Sequence, residues 1–155
     1  MQYESQFISN FLSKKRFSYG IAVSLGTFIF CTIMSNLYWT QAFSISKHLA
    51  ASPSLVLEKG EIWRLFTTSL IHSDIGHLLS NSLVLLGMGY YVSTYYGYWI
   101  YPLVSFLLGG VVNLIVLLTF KHDITLLGAS GVAYFLWGFW LILYILIQRH
   151  ISSYG

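Results

Sequence analysis

Four runs, at residues 19–39, 75–92, 99–119 and 126–146, contain no Asp, Glu, Lys or Arg. Each is close to the span of about 20 apolar residues that a helix rising 1.5 Å per residue needs to cross the hydrocarbon of a bilayer. A chain with four such runs has few folds open to it. In lipid every backbone polar group must be satisfied within the segment, so each run is expected to be a transmembrane helix.

The remaining composition agrees. Of 155 residues, 56% are hydrophobic and 8% charged, against about a quarter charged in a soluble domain. That is too little charge to cover a water-soluble surface. The formal net charge of +3 comes without a basic stripe, which argues against nucleic acid as a partner. Cys31 is the single cysteine, so it closes no intramolecular disulfide, and inside an apolar run it reads as a small buried hydrophobe.

Lys14, Lys15 and Arg16 abut the first run, which is too long and lacks the small-residue cleavage site of a signal peptide, so it reads as a retained span. With the N-terminus in the cytoplasm, Lys14, Lys15, Arg16 and Arg149 fall inside, and Lys47, Lys59, Arg64 and Lys121 outside. The cluster beside the first span favours both termini inside. The organisation expected is a cytoplasmic tail over 1–16, a membrane domain over 17–149 and a short tail over 150–155. Pro102 is expected in the first turn of the third helix, and tight turns on either side of that helix. The tyrosines and Trp99 between Tyr90 and Tyr101 read as an interfacial aromatic belt. The long connection at about 40–74 carries Leu55, Val56, Leu57, Ile62 and Leu65, and is expected to lie ordered at the membrane interface.

Polar residues within spans are costly and therefore informative. Those present are His77, Asn81, Asn113 and Ser130, with His72 just above the second span. His77 and Asn81 are four apart and share one helix face. His72 and His77 are five apart, roughly 140° around a helix, a poor arrangement for joint metal binding; neither a metal nor another cofactor is expected. Taken alone, such residues also fit interhelical hydrogen bonds that hold spans together.

Gly128, Ala129, Ser130 and Gly131 form a GxSG motif at the start of the fourth span. Small residues there suit close helix packing. They also suit chemistry, because a helix N-terminus offers unpaired N–H groups to an oxyanion forming beside Ser130. If the spans alternate in direction, His77 and Ser130 enter from the same outer face at similar depth, with the long first loop on that face too.

Together these motifs resemble the rhomboid intramembrane serine proteases. Glu61, Trp63 and Arg64 match the ExWR signature of the first loop, His72, His77 and Asn81 that of the second helix, and Gly128 with Ser130 the nucleophile motif of the fourth. The resemblance implies an all-α polytopic membrane bundle with four of the usual six core helices. It implies Ser130 as nucleophile, with its N–H, His77 and Asn81 holding the oxyanion, and His72 supporting the second helix. Gly128 and Gly131 flank the nucleophile, and Glu61, Trp63 and Arg64 would hold the first loop. The implied activity is endopeptidase cleavage of transmembrane or juxtamembrane peptide bonds in membrane proteins, with those substrates and the bilayer as partners.

A serine hydroxyl needs a base, which in the family is a histidine of the sixth span. Only 25 residues follow Ser130, so the base-bearing helices are expected to be missing from this chain. His150, 20 residues beyond Ser130, would sit roughly 30 Å away at the other membrane face. His48 and His122 lie in outer loops without an orienting motif. Alone, the chain is expected to be inactive. The competing reading is a rhomboid-like protein that binds membrane clients without cutting them.

Overall fold

The structure, a computed structural model, describes residues 17–42, 44–120 and 124–152. Lys14, Lys15, Arg16, Lys121, His122 and the two expected tails, apart from the end of the last helix, lie outside them. Four long helices dominate: α1 (Phe17–Trp39), α2 (Ile75–Tyr96), α3 (Ser105–Thr119) and α4 (Ser130–Ser152). With the irregular turn that leads into α3, all four are long and apolar enough to cross a membrane. The described part is a helical membrane bundle, its extended pairing limited to a bridge between Ala51 and Leu126.

Helix α1 packs along α2, α3 along α4, and α2 also touches α4. The inward face of α2 is drawn by spacing: Leu78, Asn81, Ser82, Leu85, Gly89, Val92 and Ser93 are buried, at the three- and four-residue intervals that align one helix face. On α4 the same rhythm buries Val132, Ala133 and Leu136, of which Val132 and Leu136 join Leu78, Leu85, Val92 and Cys31 in one core cluster. The opposite faces, with Leu83 on α2 and Tyr134 on α4, are exposed and apolar, as lipid contact requires. Helix α2 starts sharply because Asp74, at its N-cap, accepts the N–H of His77 at 2.9 Å.

Four sequence expectations need correction. Pro102 does not open the third helix. Trp99–Val104 is a wide irregular turn in which Tyr101 is extended, as the residue before a proline tends to be, and the regular helix begins at Ser105. Tyr101 is no belt residue either: it is fully buried against Gly89 of α2, whereas Tyr98 and Trp99 are exposed. The fourth helix begins at Ser130, later than its apolar run, because Leu126 exchanges backbone hydrogen bonds with Ala51. The stretch at 124–129 is thus no tight turn, while Gly97, with φ of +86°, does make one after α2.

The first loop is ordered into short helical turns, Ser44–His48, Ser54–Glu58, Arg64–Thr67 and Thr68–Leu70. Ala51, Val56 and Leu65 of this loop bury themselves against Leu117 of α3, so the loop carries a small core of its own. Arg64 is its clasp. The guanidinium is buried, pairs with Glu61 through Nε, and donates through Nη1 to the carbonyls of Lys47 at 2.9 Å and Ala50 at 2.8 Å. Trp63 beside it is half exposed.

Candidate active site

Ser130 is the first residue of α4, and the backbone just before it is pinned from several directions. Leu126 N–H donates to the Ala51 carbonyl at 2.8 Å, and Gly128 N–H to the Thr68 carbonyl at 3.0 Å. The Thr68 hydroxyl donates to the Leu126 carbonyl, and Ala129 N–H to Nε2 of His72 at 3.3 Å. Thr68, a residue that no motif singled out, therefore grips the turn twice. Ala133 N–H donates to the Ala129 carbonyl at 2.9 Å, closing the first turn of α4. The N–H groups of Ser130, Gly131 and Val132 precede that bond and have no acceptor four residues back within the helix.

Gly128 has φ of +107°, a conformation that side chains rarely adopt. A Cβ there would stand 2.5 Å from Cε1 and 2.7 Å from Nε2 of His77, and 3.5 Å from Nδ2 of Asn81. The backbone two residues before Ser130 thus lies directly against the imidazole and carboxamide of α2. Asn81 is oriented by its own helix, its Nδ2 donating to the His77 carbonyl at 3.1 Å. The His77 ring is held at Nδ1, 3.1 Å from the Ser73 hydroxyl, which leaves Nε2 facing Gly128. The Ser73 hydroxyl also lies 2.8 Å from Asp74 Oδ2. The His77 N–H first and the Ser73 hydroxyl second hold the Asp74 carboxyl below its ordinary range.

His72 sits deeper, fully buried, its ring edge-on to that of His77 with centroids 5.3 Å apart. Burial, reinforced by the neighbouring His77, pushes its pKa down to about 4, so at neutral pH the ring is uncharged. Its contacts reach beyond the second helix. The ring bridges α1, through Ser35 Oγ at 3.1 Å, to the turn before Ser130.

Asn113 of α3 lies between the first loop and the start of α4. Its Nδ2 donates to the Leu65 carbonyl at 2.8 Å and lies 3.1 Å from Ser69 Oγ, tying the first loop to the bundle. Its Oδ1 lies 2.6 Å from where a Cβ on Gly131 would stand. Gly131 is accordingly a close-packing position against α3. Glu61, Trp63 and Arg64 do not join the constellation; they shape the loop segment that continues into Thr68. His48 lies exposed in the first loop, and His150 near the far end of α4. Among the described residues no cluster of three or more His, Cys, Asp or Glu could hold a metal ion.

This arrangement brings His72, His77, Asn81, Gly128 and Ser130 to one end of the bundle from the end of the first loop, two helices and a turn. The signals for Thr68 and Ser35 were absent from the sequence, since neither sits in a spacing pattern with its partner. Comparison with known proteins points the same way. The chain is 34% identical over 95 residues to RHOMBOID-like protein 1 of Arabidopsis thaliana, a match covering 61% of this chain and 24% of that protein. This chain therefore spans about a quarter of that relative's length. No solved structure matches it. The rhomboid domain matches residues 59–154, from the first loop through α4, and the chain belongs to the rhomboid family.

Proposed function

We propose that this chain carries the nucleophile half of an intramembrane serine endopeptidase that cuts peptide bonds in or beside the transmembrane helices of other membrane proteins. The observation that carries the reading is the contact of Gly128 with His77 and Asn81, which sets two hydrogen-bonding side chains beside the turn that presents Ser130.

In this reading the Ser130 Oγ–C bond forms at the scissile carbonyl as the hydroxyl proton passes to a base. The carbonyl electron pair moves onto oxygen, where the Ser130 N–H, His77 and Asn81 meet the charge. Collapse of that intermediate expels the amine, which takes up a proton, and water then releases the acyl group from Ser130. Among the described residues none is assigned as the base, since the His72 ring is engaged at both nitrogens and the His77 ring is assigned to the oxyanion. A substrate helix must unwind locally before attack, because its carbonyls are hydrogen-bonded and shielded, so helix-weakening residues near the cut are favoured.

The test uses liposomes containing a fluorogenic transmembrane substrate. The chain is compared with a version carrying any coding sequence that follows Gly155, and each with its Ser130→Ala counterpart. Cleavage by the form that supplies a histidine base, abolished by Ser130→Ala, supports the proposal. Cleavage that survives Ser130→Ala overturns it, and substrate capture without cleavage by every form favours client binding instead.

A further inference from the structure

Ala129 N–H is buried ahead of the first intrahelical bond of α4, so it must find an acceptor outside the helix. It finds His72 Nε2. An amide can only donate, so Nε2 must carry a lone pair, and a neutral imidazole then holds its proton on Nδ1. The group 3.1 Å from Nδ1 is the hydroxyl of Ser35, fully buried one turn before the end of α1 and far from Ser130 in sequence. One turn further along the same face of α1, the Trp39 indole N–H donates to the His72 carbonyl at 2.7 Å. Helix α1 therefore holds this residue twice, by ring and by backbone.

We propose that Ser35 is a positioning residue for the nucleophile turn: by accepting the Nδ1–H of His72 it selects the tautomer whose Nε2 receives Ala129 N–H, and so fixes the backbone that presents Ser130. Without the hydroxyl, a ring with Nε2–H would oppose the Ala129 N–H donor to donor, and the turn would lose its anchor to α1. Its bearing on catalysis rests on the reading of Ser130 as nucleophile, but the clamp itself is measurable without any reaction.

The experiment is ¹⁵N NMR of this chain in detergent micelles at neutral pH, with the His72 ring signals assigned by their loss in His72→Gln. The expected result is a protonated Nδ1 and an unprotonated Nε2. In Ser35→Ala the Ala129 amide should exchange with solvent about tenfold faster, the loss of roughly one buried hydrogen bond. The Leu85 amide in the α2 core should be unchanged, and Ser35→Thr, which keeps the hydroxyl, should restore protection. A wild-type ring protonated on Nε2 overturns the proposal, and this readout stands even if Ser35→Ala does not fold. Equal acceleration at Ala129 and Leu85 also overturns it, because the hydroxyl would then serve only overall packing. Failure of Ser130 to cleave, with the tautomer as expected, would overturn the protease reading and leave the clamp intact.

Discussion

A methyl group on Gly128 would stand 2.5 Å from Cε1 of His77, closer than real side-chain carbons approach one another. The turn before α4 and the face of α2 are thus fitted without room for one extra carbon, at a residue whose φ of +107° already excludes ordinary side chains. Gly128→Ala should therefore cost about 1–3 kcal/mol of backbone strain and also push the His77 ring away from the turn. If His77 holds the oxyanion as proposed, its displacement should lower cleavage by an active form of the protein by about a hundredfold or more. Thermal unfolding in micelles and the liposome assay read the two effects separately. Wild-type cleavage by Gly128→Ala would show that the His77 contact has no bearing on the chemistry.

Arg64 holds the first loop through the Glu61 carboxylate and the Lys47 and Ala50 carbonyls. Removing it strands the Lys47 and Ala50 carbonyls and leaves Glu61, which is about one-quarter exposed, without its counter-charge. Arg64→Ala should destabilise the protein by about 3 kcal/mol, the lower end for breaking a buried pair because Glu61 still reaches solvent. Arg64→Lys should recover only part of this, since an ammonium cannot address a carboxylate and two carbonyls with a rigid fork. Limited proteolysis between Ala50 and Gly60, followed in micelles, should show the loop opening first in both variants.

The sequence made some of this fold legible and hid the rest for identifiable reasons. Apolar runs announce spans because lipid tolerates nothing else, and α1 and α2 lie where those runs do. The start of α4 was hidden because Leu126 and Leu127 are as apolar as a helix interior; their extended course is set by a bridge to Ala51 in a distant loop. Tyr101 was read as interfacial because composition reveals an aromatic cluster but not which ring turns inward. His77, Asn81, Gly128 and Ser130 stood out as polar or small residues at fixed spacings. Ser35 and Thr68 did not, because their partners lie 37 and 58 residues away and are chosen by packing alone.

Acid should loosen the site through His72. Its ordinary value is 6.5 and burial lowers it to about 4, so folding favours the neutral ring. The unfolded chain then takes up the proton first. Stability is fully present above pH 6.5 and falls as pH drops from there towards 4, below which this contribution is flat. The ceiling on the loss is about 3 kcal/mol, reduced by solvent access to the neighbouring side chains. The groups facing the ring are His77, which opposes its protonation, Asp74, which favours it, and the uncharged Ser35 and Ala129 N–H. Unfolding of wild type and His72→Gln between pH 7 and 4 should show a slope in the first that is shallower in the second. Equal slopes would assign the acid sensitivity elsewhere.

Helices α3 and α4 cross where neither backbone leaves space for a side chain. A Cβ on Gly131 would lie 2.7 Å from the Gly109 carbonyl oxygen of α3 and 2.6 Å from Asn113 Oδ1. The first of these is backbone and cannot swing aside, so Gly131→Ala must part the helices or tilt α4 about its N-terminus. Between spanning helices there is no water to expel, and close packing with interhelical hydrogen bonds supplies the attraction, so lost proximity is felt directly. The expected cost is about 1–3 kcal/mol, with a second effect on Asn113, whose bond to the Leu65 carbonyl anchors the first loop. Gly138→Ala is the matched control, because a Cβ there meets nothing within 4 Å and alanine is the better helix former. Unfolding in micelles should therefore separate two identical substitutions on one helix, Gly131→Ala falling well below wild type and Gly138→Ala matching or exceeding it. Similar stabilities for the pair would mean that the α3–α4 crossing is looser than its geometry requires, and that the Asn113 bond to the first loop does not depend on Gly131.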